Sequence, residues 1–224
     1  MLITITLITA ALSACSNNAL IKKPKITQTP IIWDEQRKQL SLEYLEQHYG
    51  IVKDTPTIDP KMVVVHWTVL PTLAMTLKAF HPALLPSYRS SISSASALNV
   101  SSQFVIDRDG SIYQLLPETT MARHVIGLNH TAIGIENIAD GKNLPMTEKQ
   151  LAANTALITY LAAKYKIEYV LGHSEYQAFR YHPLWLEKDS SYLTDKNDPD
   201  ILFMNKLRAK LNLKQLKLLP EGVK

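Results

Sequence analysis

Two spacings of apolar positions alternate along the chain. DEQRKQLSLEYLEQHYG (34–50) sets Leu40, Leu45 and Tyr49 on one helical face and ends at Gly50, a natural helix stop. MVVVHWTV (62–69) is a β-branched run that predicts a buried strand. TLAMTLKAF (72–80) predicts a short helix. The serine-rich SYRSSISSASALNVSS, within residues 82–102, predicts a mobile surface loop rimming a groove. QFVIDRDGSIYQL (103–115) holds two strand-like runs around Asp109-Gly110, a hairpin signal. AIGIENI (132–138) predicts another short strand.

The clearest helix is MTEKQLAANTALITYLAAKYK (146–166). Thr147 and Gln150 form a capping-box pattern, and Leu151, Ile158, Leu161 and Tyr165 line one face. EYVLGHSEY (168–176) predicts a strand running into a turn, and ILFMNKLRAKL (201–211) a final amphipathic helix, with LKLLPEGVK as a tail. Strands alternating with helices imply an α/β fold: a mixed central sheet flanked by helices. The domain is expected over 31–213, with a tail over 214–224.

The N-terminus has a different character. MLITITLITAALSACSNNA is apolar up to Cys15 and polar after it, too short to span a bilayer and suited to a signal peptide over 1–14. Leu12-Ser13-Ala14-Cys15 resembles a bacterial lipobox, in which the cysteine is lipidated and becomes the mature N-terminus. Ser16 rather than Asp follows it, which by that resemblance implies an outer-membrane lipoprotein facing the periplasm of a Gram-negative cell. No Lys or Arg precedes the apolar run, so either the true start lies upstream or the signal is atypical. A plain cleaved signal with a chance cysteine is the alternative. Residues 15–30, polar with Pro24 and Pro30, read as a tether.

With 224 residues, 46% hydrophobic and 20% charged, the chain suits one domain with a real core. The net charge of +4 is scattered, so no nucleic-acid stripe is present; a monomer is expected. Cys15 is the single cysteine, which excludes an intramolecular disulfide and a Cys-rich zinc knuckle. A metal site must therefore use histidine and carboxylate. Of seven histidines, His66 ends the valine strand and His173 ends the strand before GHSEY. A strand-end histidine is more often structural than a ligand, but two at equivalent strand ends shift the balance. His48 and His81 read as ordinary helix-end residues, His182 as structural, and Trp67 as packing.

VVVHWT, FVIDRDGSIYQLLPETTMARHVIGLNHTAIGIENI, VLGHSEY and KNDPDILF, in that order over roughly 60–208, resemble the zinc-dependent N-acetylmuramoyl-L-alanine amidases of the amidase-2 group, relatives of peptidoglycan recognition proteins. The resemblance implies a Zn²⁺ held by His66, His173 and Asp198, with Glu136 and Lys196 as catalytic residues. It implies hydrolysis of the amide between N-acetylmuramic acid and L-alanine of peptidoglycan stem peptides. Such a set makes chemical sense: three protein ligands leave a position for water, a carboxylate takes the water's proton, and a cation faces the oxyanion. His124 and His130, flanking VIGLN, fall where relatives contact substrate. A non-catalytic peptidoglycan-binding protein is the alternative function.

Three departures from the family pattern stand out. The interval from His173 to Asp198 carries a long insertion, which makes Asp189 and Asp195 rivals for the third ligand. Asp200 stands where the family has glycine after Asp-Pro. Gln103 stands where relatives have histidine.

Overall fold

The computed structural model describes residues 22–221. The expected signal segment, Cys15 and the first part of the expected tether lie outside the described residues. Six strands form one sheet in the order β1-β4-β3-β5-β2-β6: β1 Ile26–Gln28, β2 Met62–Trp67, β3 Phe104–Ile106, β4 Ile112–Gln114, β5 Ala132–Asn137 and β6 Tyr169–Gly172. All neighbours run parallel except β3 and β4, which form the antiparallel hairpin expected around Asp109-Gly110. Gly110 occupies a left-handed conformation (φ +86°) in that turn, and Asp109 accepts from the Ser111 N–H.

Valines dominate β2 because helices or loops cover both of its faces. Val63 and Val65 pack into the core shared with α4 (Glu148–Lys164) and α5 (Ile201–Lys210), whereas Met62 and Val64 face Val125, Leu128 and Leu171. Each fully buried aliphatic side chain contributes about 1.5–3 kcal/mol. A histidine is tolerated in this run only at its end. The capping box on α4 forms as expected: Thr147 Oγ1 accepts from the Gln150 N–H, and Gln150 Oε1 accepts from the Thr147 N–H, both at 3.0 Å. Leu151, Leu157, Ile158 and Leu161 are its buried stripe.

Three expectations change. Residues 26–28, inside the stretch read as a tether, form an edge strand on β4, and Ile31 just beyond is buried, so the folded domain begins before residue 31. A three-residue edge strand with one face in water has too few apolar positions to show a period. The stretch read as a tail packs too: Leu216 and Leu219 lie against the core, and the Lys217 N–H donates to the Glu168 carbonyl. Finally, the segment 82–102 is not all surface. Leu98, Asn99, Ser101 and Ser102 are buried, and Asn99 Nδ2 donates to the Ala79 and Pro82 carbonyls at 2.9 Å. The buried Arg37, on α1 (Glu35–Tyr49), gathers the Phe80 and Pro82 carbonyls, so backbone polarity that composition assigns to solvent is met internally. A short helix, α2 (Leu73–Phe80), precedes this segment, and another, α3 (Ser90–Ser93), lies within it. Among the described residues no helix is long and apolar enough to cross a membrane.

Candidate active site

Parallel pairing brings the ends of β2, β5 and β6 to one edge of the sheet. There the register sets His66 directly opposite Glu136. Alternation puts Met62, Val64 and His66 on one face of β2 and Ala132, Gly134 and Glu136 on the same face of β5. His173 follows β6 at once and opens a 3₁₀ helix, His173–Phe179. The C-terminal edge of parallel strands is where α/β sheets build sites.

Asp198 reaches the same point through the insertion. The Ser174 N–H donates to the Asp198 carbonyl at 2.7 Å, which ties the far end of the inserted loop to the residue after His173. Tyr176, fully buried, ties the loop again: its hydroxyl donates to the Thr194 carbonyl and accepts from the Thr194 N–H. Glu175 accepts the Gly172 N–H at 2.7 Å and is clamped by both terminal nitrogens of Arg208 on α5, at 2.8 and 3.0 Å. Asp200 is the N-cap of α5, accepting the Phe203 N–H at 2.9 Å. The departure from glycine therefore has a structural role.

The donor atoms form a near-equilateral triangle. His66 Nδ1 lies 3.0 Å from His173 Nδ1 and 3.3 Å from Asp198 Oδ2, and the third edge is 3.2 Å. Three such atoms cannot all satisfy one another as hydrogen-bond partners. A tetrahedral ion with bonds of about 2.0 Å has donor–donor edges of about 3.3 Å, so the triangle fits zinc. Two neutral imidazoles and one carboxylate are also donors that zinc accepts. All three residues are buried and form a compact His-His-Asp group among the described residues. Asp189 and Asp195, the rivals, are both exposed; Asp189 accepts from Ser191 in a local turn.

Electrostatics sort the groups around the triangle. Burial pushes the Glu136 carboxyl up to about 7, with Asp198 adding to the rise and His66 opposing it. Its Oε2 is buried without a partner among the described residues, a high-energy arrangement for a carboxylate with no chemical task. Burial lowers Lys196, which lines the same cleft. Burial and His66 lower His173 to about 4, which keeps it neutral and able to bind a metal. Burial raises Asp198, but the His173 and His66 rings overcome that and hold its carboxyl well below the usual carboxylate range.

The cleft above the triangle holds about 420 Å³. Apolar Val69, Leu70, Phe80 and Ile126 share its walls with Arg89 and Tyr192. Val69 has φ +60°, a strained conformation for a β-branched residue, held by its N–H bond to the Ala139 carbonyl at 3.0 Å.

His124 and His130 separate. His124 is buried at the cleft, with Nδ1 3.1 Å from His66 Nε2. His130 does not line the cleft and instead meets Tyr49 edge-on, at 5.1 Å between ring centroids. Side chains alternate too irregularly in that loop for spacing to tell the two apart. Gln103 braces the sheet, donating to the Thr120 carbonyl at 2.7 Å and accepting the Gly134 N–H at 2.7 Å. His182 bonds Tyr169, as a structural residue should. His48 is more than a helix-end residue: its ring bridges Glu187 of the insertion at 2.8 Å and the Ala95 carbonyl at 2.9 Å. Arg123, also unforeseen, binds the Ile92, Ser96 and Leu98 carbonyls and the Tyr192 hydroxyl, closing the cleft rim onto the insertion. No motif carries these contacts; an isolated arginine beside His124 was the only trace.

A family model described as N-acetylmuramoyl-L-alanine amidase matches residues 56–200, a span that includes His66, Glu136, His173 and Asp198. No curated protein matches the chain. Among solved structures, the endolysin amidase LysCS from Clostridium intestinale URNW superposes with TM-score 0.55 at 21% identity, over 87% of this chain and 99% of that one. LysC from the same organism gives TM-score 0.55 at 22% identity, over 85% and 99%. A selenomethionine derivative of AmpD gives TM-score 0.51 at 20% identity, over 84% and 94%. At these identities the structural matches bear on the fold.

Proposed function

The chain belongs to the N-acetylmuramoyl-L-alanine amidase family, and on that premise we propose that it cleaves the amide between the lactyl group of N-acetylmuramic acid, intact or 1,6-anhydro, and L-alanine of the stem peptide. Zinc held by His66, His173 and Asp198 is part of the proposal. The observation that carries it is the donor triangle with the buried Glu136 carboxylate one strand away, in register with His66. When bound, zinc supplies Lewis acidity towards water and the scissile carbonyl.

The protein's own groups do the rest. Glu136 is poised near neutrality, takes a proton from the attacking water and returns one to the leaving amine. Lys196, a cation at the same cleft, faces the charge that develops on the carbonyl oxygen. The apolar cleft walls exclude water and strengthen both effects. The expected result on defined muropeptides is release of a stem peptide beginning with L-alanine, detected by mass spectrometry, lost on chelation and restored by zinc. Binding without cleavage in the zinc-loaded protein would replace this reading with a recognition role, and full activity after chelation would remove zinc from it.

We also propose that the protein is a lipid-anchored monomer on the periplasmic side of the outer membrane, a reading supported by the lipobox-like Leu12-Ser13-Ala14-Cys15. One acylated cysteine carrying several chains anchors stably. Cys15→Ala is expected to move the protein from the membrane fraction to the soluble fraction; unchanged fractionation would argue against lipidation.

A further inference from the structure

Resting on the zinc reading above, we propose that His124 is a positioning residue, which holds His66 in the tautomer that leaves Nδ1 unprotonated and aimed at the metal. The assignment follows from a chain of three groups. The Ala132 carbonyl lies 3.3 Å from His124 Nε2 and can only accept, so the ring carries its proton on Nε2. The Nδ1 lone pair of His124 then accepts from His66 Nε2, 3.1 Å away. With its proton on Nε2, His66 turns a bare Nδ1 towards His173 Nδ1 and Asp198 Oδ2. A main-chain carbonyl thus sets the tautomer two rings away. Metal-binding histidines regularly use their second nitrogen in this way, most often on a carboxylate, carbonyl or water; here a neutral imidazole takes that place.

Several features hold the ring. Asn129 Oδ1 accepts the main-chain N–H of both His124 and Val125, at 2.9 and 2.8 Å. The ring stands edge-on to His66, at 88° between planes and 5.1 Å between centroids. It fills the gap that Gly134 leaves on the site face of β5, between Ala132 and Glu136. A Cβ on Gly134 would lie 2.9 Å from two carbons of the ring. The glycine of IGIE and the histidine of ARHV are therefore one device. Both lie in the span that matches the family, but neither belongs to the donor triangle.

Three variants test the proposal: His124→Phe, which fills the space but accepts nothing; His124→Asn, whose Oδ1 replaces Nδ1 as an acceptor; and Gly134→Ala, which pushes the ring without altering it. Zinc dissociation constants by chelator competition are expected to weaken about 10–100-fold in His124→Phe and Gly134→Ala, with substantial recovery in His124→Asn. In the metal-free protein, long-range ¹H–¹⁵N correlation is expected to show His66 protonated on Nε2, and to lose that preference in His124→Phe. Wild-type zinc affinity in either weakened variant, or equal loss in the Asn and Phe variants, overturns the inference. If His124→Phe does not fold, Gly134→Ala decides. A wild type that binds no zinc would instead sink the zinc reading itself, so the two failures are distinct.

Discussion

Glu136→Gln is expected to slow turnover about 10²–10⁴-fold and, in the same protein, raise the melting temperature of the metal-free form at neutral pH. In the proposed mechanism the carboxylate is the base, and losing a positioned base lowers rates about 10²–10⁴-fold. Glutamine matches its shape but takes no proton. The stability gain comes from the same burial that suits Glu136 to catalysis. Its folded pKa of about 7 lies above the ordinary 4.5, so the folded state binds the proton more tightly than the unfolded state does. Stability therefore declines as pH rises from about 4.5 to 7 and levels off above that. The full difference corresponds to about 3 kcal/mol, or several degrees in a chain of this size.

The variant should accordingly match wild type near pH 4 and exceed it at pH 8, in paired thermal melts of zinc-free protein. A bound dication stabilises the ionised carboxylate, so the gain shrinks in the zinc-loaded protein. For the same reason the acid limb of kcat/KM should fall at or below pH 7. Near-normal turnover in the variant would exclude the base role, and superimposable melting curves at pH 8 would mean that water reaches the carboxylate.

Asp198→Ala is expected to lose zinc, whereas Asp189→Ala and Asp195→Ala keep one equivalent. The argument is positional. Asp198 Oδ2 sits 3.2–3.3 Å from both imidazole donors, while Asp189 and Asp195 are exposed on the insertion. Removing a donor should weaken zinc by more than the about 10–100-fold that follows loss of an outer partner. It also leaves two neutral imidazoles with no negative charge to balance the ion. Metal content after gel filtration separates the variants, and retained zinc in Asp198→Ala would overturn the ligand assignment. Because Asp200 caps α5 and Asp198 does not, folding of the Asp198 variant should be preserved.

Much of the fold could be read locally. The valine run, the Asp109-Gly110 turn and the Thr147/Gln150 box each carry their signal within a few residues, and each forms as expected. His66 and His173 stood out for a related reason, as polar groups at the ends of apolar strands, whereas Glu136 entered through the family resemblance. The edge strand at 26–28 was not legible, since three residues with a wet face show no period. Nor was the burial around 98–102, because composition reports serine hydroxyls and not the Arg123 side chain that meets the Ser96 and Leu98 carbonyls or the Asn99 side chain that meets those of Ala79 and Pro82.

The sequence by itself determined most of the elements, the residue types able to bind a metal and the strand ends that carry two of them. It left three aspartates open for the third ligand and two histidines open as substrate contacts. Tertiary structure brings one of the aspartates and one of the histidines to the strand ends. The Ser174–Asp198 main-chain bond brings Asp198 to His173, 25 positions apart in the chain, and the parallel register of β2 with β5 sets Glu136 beside His66. Packing against Gly134 brings His124 to His66, while His130 turns away to Tyr49. The physical reason is the same in each case: capping and periodicity act between near neighbours in the chain, but a donor triangle with edges of 3.0–3.3 Å is set by contacts between segments that only the folded sheet brings together.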